Sequence, residues 1–228
     1  YNLFARFAMK LTRYRRYISD DLEPFHSDPE IAVLGINTAR SATFKGGRVN
    51  SRQVARMQER LGSVNGVTKI VVTHHPFDLP EAYPNKDKAL VGRARRAMQQ
   101  LAGSGIDLFL AGHLHIGLSE PTALRFQIGG RSPLMIQAGT ALSSRVRGEA
   151  NSFNVIRIEH PNISVSRLAW RADLKMFVSA HADYFRHTEA GWMRRIDLNA
   201  DVGESFGTYT LGNDAGLMAS IPTCSHEN

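Results

Sequence analysis

Two short segments hold the residues best suited to chemistry. Val71-Val72-Thr73 leads into His74-His75-Pro76, and Leu110-Ala111-Gly112 leads into His113-Leu114-His115. Neutral imidazole is the commonest metal ligand near neutral pH. In open α/β sheets, ligand sites lie beyond the carboxyl ends of strands. Each histidine pair follows an apolar, β-forming run, so both pairs are expected at one edge of a sheet. Gly112 permits a tight turn just before His113. Residues two apart in an extended segment point the same way, so His113 and His115 can face one site. The expectation is a metal or phosphate site. The remaining histidines, His26, His160, His181, His187 and His226, share no such context and read as surface residues.

The elements that must position these groups follow from periodicity. Residues 31–38 (IAVLGINT) read as a buried strand. Residues 50–61 place Val54, Met57 and Leu61 at helical spacing, with Asn50 or Ser51 as N-cap. Thr68–Thr73 reads as a strand ending at His74. Residues 86–104 read as one helix with Leu90, Ala94, Ala97, Met98 and Leu101 inward, stopped by Gly103 and Gly105. Residues 106–111 form the next strand, ending at Gly112. This strand–helix–strand alternation argues for an α/β sheet. Residues 134–137, 153–159 and 163–170 follow without helices and read as antiparallel strands. Residues 1–17 place Leu3, Phe4, Phe7, Ala8 and Leu11 beside basic residues at helical spacing, an amphipathic helix whose apolar side is expected to pack on the domain.

The chain has 228 residues, with 43% hydrophobic and 21% charged. That composition excludes disordered and collagen-like chains. No apolar run approaches the ~18 residues of a membrane helix. The single cysteine, Cys224, excludes a disulfide framework. With no export signal legible, the expected compartment is cytoplasmic. Charge is uneven: residues 1–192 hold 26 Lys and Arg against 16 Asp and Glu, and residues 193–228 hold 2 against 5. A basic body is attracted to phosphate-bearing partners.

The two histidine segments resemble the last two motifs of the calcineurin-like metallophosphoesterases, a strand ending in His-x-Pro and a strand ending in Gly-His-x-His. Residues 32–40, Gly47 and the helix over 53–61 are similar to the run that precedes those motifs. The resemblance covers roughly residues 1–190. It implies an α/β fold, an incomplete metallophosphoesterase β-sandwich of mixed sheets flanked by helices. It implies hydrolysis of a phosphomonoester or phosphodiester at a two-metal site, where metals activate water and neutralise phosphoryl charge. His74 and His113 would bind one ion and His115 the other. His75 and Arg40 would be supporting or substrate-facing. Three imidazoles suit Zn, Mn or Fe better than Mg or Ca.

The same family carries Asp-x-His, Gly-Asp-x-x-Asp and Gly-Asn-His-Asp/Glu motifs earlier in its sequence. None occurs here: no Asp is followed two residues on by His, and neither Gly-Asp nor Gly-Asn-His appears. Tyr1 stands about where the segment after Gly-Asn-His-Asp is expected. Histidines without a bridging carboxylate cannot hold two cations about 3.5–4 Å apart. The chain alone is expected to bind metal weakly, to expose part of a sheet face, and to be nearly inactive.

From Met193 the character changes. Met193-Arg-Arg-Ile-Asp197-Leu-Asn199-Ala-Asp201-Val-Gly203-Glu204 resembles the opening of the LamB/YcsF family of 5-oxoprolinase subunits. The resemblance runs to about Ile221, and it implies that Asp197, Asp201 and Glu204 would line an active site in a complete barrel. About 30 residues cannot bury a core, so residues 193–228 are expected to be a non-domain tail without that activity. Two other readings compete for the body. One is a basic nucleic-acid or acidic-surface binder, through the Arg13–Arg16 run and Arg93, Arg95 and Arg96, although no nucleic-acid-binding motif is present. The other is a non-functional chimeric remnant. Arg40, Lys45 and Arg48 are the candidate phosphate contacts, with Arg145 and Arg147 as weaker ones. Oligomeric state is not legible.

Overall fold

A computed structural model describes residues 11–39, 47–80, 83, 86–122, 132–143 and 149–195. The chain divides into two units, Tyr1–Arg194 and Arg195–Asn228. The account below concerns the first. The tail residues Asp197, Asp201 and Glu204, with Arg40, Lys45, Arg145 and Arg147, lie outside the described residues.

The centre is a mixed six-stranded sheet of order β1-β2-β3-β4-β6-β5. Its strands are β1 (Phe25–Ser27), β2 (Ile31–Ile36), β3 (Thr68–Thr73), β4 (Leu108–His115), β5 (Leu118–Pro121) and β6 (Leu134–Gly139). Strands β2, β3, β4 and β6 are parallel, and the short edges β1 and β5 are antiparallel to their neighbours. A second sheet, order β10-β9-β8-β7, comprises β7 (Ser152–Glu159), β8 (Asn162–Arg171), β9 (Met176–Thr188) and β10 (Gly191–Arg195).

Side chains alternate across a strand, and here both faces find cover. Leu34, Ile36, Val71, Phe109 and Met135 pack with Val54, Met57 and Leu61 of helix α2 (Ser51–Gly62) and Ala94, Ala97 and Met98 of helix α4 (Ala94–Gln100). On the opposite face Ile70, Leu108, Leu134 and Ile136 meet Ile163, Val165, Phe185 and Trp192 of the second sheet. Cover on both faces explains why β3 and β4 are nearly continuous apolar runs. Cover is incomplete near the histidines, where Val72 is 37% exposed.

Several expectations hold. Helix α2 begins at Asn50, whose side chain accepts from the Gln53 amide while Gln53 bonds back to the Asn50 amide. Such a capping box satisfies two otherwise orphaned donors. β3 spans the expected residues, and β7 and β8 pair antiparallel.

Others are corrected. The helix expected over 86–104 is broken into α3 (Lys86–Ala89), α4 and a 3₁₀ turn, Ala102–Ser104. The interruption has a cause: Val91 donates to the Pro76 carbonyl and Gly92 to that of Gly47, so this backbone is bound elsewhere. Residues 134–137 lie in β6, which is antiparallel only to the edge strand β5 and parallel to β4. β4 does not stop at Ala111 but continues through His115. Of the amphipathic segment 1–17, residues 1–10 are outside the described set. Helix α1 (Thr12–Tyr17) buries none of its residues, and Leu11, the described member of the expected apolar side, is half-buried. Strands β1, β5, β9 and β10 are not legible from periodicity.

Candidate metal centre

β3 and β4 are adjacent and parallel, with Thr73 opposite Ala111. Their carboxyl ends therefore deliver His74-His75 and His113 to one place. One nitrogen from each of His74, His75 and His113 lies within 4.8 Å of the others. His113 Nδ1 is 3.1 Å from His74 Nε2. The ring centroids of His75 and His113 are 4.4 Å apart. Among the described residues, no carboxylate joins this cluster.

The turn carrying the first pair is held at successive carbonyls. The His74 carbonyl accepts from Gly112 N–H at 3.2 Å and that of Pro76 from Val91 N–H at 2.8 Å. The Thr73 hydroxyl donates to the His75 carbonyl at 2.8 Å. The His75 side chain is buried, and its Nδ1 bonds the buried Thr38 hydroxyl. A partner on one ring nitrogen sets which nitrogen remains for a metal.

The second pair is positioned by unusual backbone. His113 and His115 have φ of 76° and 62°. This left-handed region is unfavourable for residues with a Cβ, and costs of order 1–3 kcal/mol per residue at functional sites. The β4–β6 register shifts between Ala111 and His115 at the same place.

His115 lies outside the three-nitrogen cluster. Its Nδ1 is buried without a hydrogen-bond partner among the described residues. Partial burial, and then the nearby charge of His115, hold the His74 imidazole below histidine's ordinary pKa. The neutral form that can ligate a metal is thereby favoured.

Three imidazoles fit one transition-metal ion in type and spacing. They do not fit a pair of ions, because the described residues bring no carboxylate to bridge them. Of the expected donors, the structure brings His74 and His113 together and places His75 beside them, while His115 lies near enough for its charge to act on His74 without joining the three-nitrogen cluster. Arg48 is exposed, in an isolated bridge with Gly92. Sequence reasoning missed Thr38, although a polar residue closing a buried strand run was the available signal. An apolar cleft of about 350 Å³ adjoins His74, lined by Leu11, Tyr14, Leu22, Ile36 and Val72 among others. A larger cavity, about 720 Å³, lies at the opposite sheet end beside Lys69, Asp107, His160 and His187. Cavity size therefore does not locate the metal-donating groups.

The chain is similar to PhoD at a TM-score of 0.57 and 9% identity, covering 78% of this chain and 44% of that one. A purple acid phosphatase, PPD1 from yellow lupin (Lupinus luteus) seeds, is similar at a TM-score of 0.47 and 11% identity, over 70% and 32% of the two chains. The LamB/YcsF family profile matches residues 196–225. A 5-oxoprolinase subunit of Shouchella clausii is 54% identical over 33 residues, which is 14% of this chain and 13% of that protein. The corresponding 5-oxoprolinase subunit of Limosilactobacillus fermentum is 62% identical over 29 residues, 13% and 12% of the two. The chain thus spans 12–13% of the curated relatives it matches. No helix among the described residues is long and apolar enough to cross a membrane. The described body is similar in fold to PhoD, and the residues that follow it carry a short LamB/YcsF match.

Proposed function

We propose that residues 1–190 are the histidine-bearing portion of a metal-dependent phosphoesterase that hydrolyses phosphomonoesters or phosphodiesters. The observation that carries this reading is the convergence of His74, His75 and His113 beyond two parallel strands of a metallophosphoesterase fold. His74 and His113 are the proposed donors to one ion, and His115 would donate to a second only with the carboxylates that a two-ion site needs. His75, tied to Thr38, supports the first ion from within reach of it. Zn, Mn and Fe match the imidazole donors. Such an ion, when bound, supplies Lewis acidity toward a phosphoryl oxygen. The chain's own residues favour the neutral form of His74 and orient the ring nitrogens, and an apolar cleft adjoins His74.

A second ion needs carboxylate donors that the sequence motifs here do not supply, so hydrolysis by this chain alone is expected near background. The LamB/YcsF match is too short to bury a core, and no oxoprolinase activity is proposed.

The test is titration of the purified chain with phosphate or orthovanadate, with and without bound Zn(II) or Mn(II). Phosphate or vanadate binding that requires the metal supports the reading. A metal-loaded chain that ignores both anions contradicts it.

A further inference from the structure

We infer that Gln137 is a positioning residue for the metal centre, acting through the Gly112–His113 peptide. The inference rests on the metal-site reading above. Gln137 lies on β6, is 3% exposed, and sits opposite Ala111 of β4. Its side-chain amide donates to the Gly112 carbonyl. That carbonyl belongs to the peptide that leads directly into His113. The bond falls where the β4–β6 ladder loses register. Gly112 N–H in turn donates to the His74 carbonyl at 3.2 Å.

The peptide units on both sides of Gly112 are therefore held, one by His74 and one by Gln137. This matters because His113 takes φ of 76°, a conformation that persists only when surrounding structure enforces it. Released from Gln137, the His113 backbone can relax toward negative φ, which swings its imidazole away from His74 and His75. The clamp is anchored from the second sheet, where Asn154 of β7 donates its side-chain amide to the Gln137 carbonyl at 3.1 Å. A buried glutamine is a costly residue unless its amide is bonded. Its place in an otherwise apolar strand is explained by this task.

The experiment is a Co(II) titration of the whole chain, read by the visible absorption of the bound ion, on the wild type, Gln137→Glu, Gln137→Ala and Asn154→Ala. Far-UV circular dichroism and metal-free thermal unfolding are recorded in parallel. Gln137→Glu keeps the shape and removes the donor. Both Gln137 variants are expected to bind Co(II) roughly 10–100-fold more weakly, the range seen when outer partners of ligands are removed. Their absorption bands should shift while the far-UV signal is kept. Asn154→Ala should weaken binding in the same direction. Wild-type affinity and bands in both Gln137 variants overturn the clamp and leave the metal site standing. Loss of folding in both makes Gln137 a folding residue and also overturns it. A wild-type chain that binds no Co(II) overturns the metal-site reading, and the clamp with it.

Discussion

The hydroxyl of Thr38 lies 2.8 Å from Nδ1 of His75, with both residues buried. The pair joins the loop after β2 to the loop after β3, two segments 37 positions apart. Thr38→Val keeps the shape and leaves the His75 nitrogen without its hydroxyl. The expected cost is about 1–3 kcal/mol of stability and a roughly 10–100-fold loss of metal affinity. Urea denaturation and a Zn(II) titration read the two effects separately.

Gly47 packs against this pair. A Cβ there would collide with His75 Nδ1 and stand 2.8 Å from the Thr38 carbonyl. Gly47→Ala is expected to displace His75, lowering the thermal midpoint by several degrees, given ~2–4 °C per kcal/mol for chains of this size. A Gly62→Ala control meets nothing within 4 Å and should not fall.

Acid should weaken the fold in two separable steps. The folded-state pKa of His74 is lowered, by burial first and then by the charge of His115. The unfolded chain therefore takes up the proton first, and stability from this group, full above about pH 6.5, declines as pH falls toward the folded value. For Glu23, burial raises the pKa, but hydrogen bonds from Arg56 and Gln53 and the charges of Arg56 and Arg60 outweigh it and hold it low. Its contribution is present above about pH 4.3 and is lost below that. His74→Gln should flatten only the upper step and Glu23→Gln only the lower, in denaturation midpoints followed across pH. An unchanged upper slope in His74→Gln would refute the assignment.

His115 occupies a left-handed conformation with φ of 62°. His115→Gly removes a Cβ from a position that disfavours it. The metal-free variant should be as stable as the wild type or more so, by about 1 kcal/mol, while losing any metal held by His115. Destabilisation beyond about 1 kcal/mol would mean that the imidazole packs to greater effect than its backbone costs.

Much of the framework is legible in the sequence because local and global signals agree. Asn50 and Gln53 frame a capping box, and Val54, Met57 and Leu61 form its buried stripe. The apolar runs before His74 and Gly112 announce buried parallel strands. The break at Gly92 is not legible, because it depends on carbonyls of Pro76 and Gly47 that only the fold brings near. Nor is the continuation of β4 through His115, since positive φ at two histidines contradicts their intrinsic preference. The pairing of Thr38 with His75 and of Gln137 with Gly112 depends on tertiary contacts between distant residues, which periodicity does not encode. The meeting of both histidine pairs is foreseeable from their strand ends, but His75, expected in a supporting or substrate-facing place, has its ring nitrogen within the cluster.

The central claim is that the histidines beyond β3 and β4 form one metal-binding centre. The most direct test is calorimetric titration of Zn(II) into the wild-type chain, His74→Ala and His113→Ala. One ion per wild-type chain, with affinity at least roughly tenfold weaker in each variant, is the predicted result. Equal Zn(II) affinity in all three proteins would contradict it.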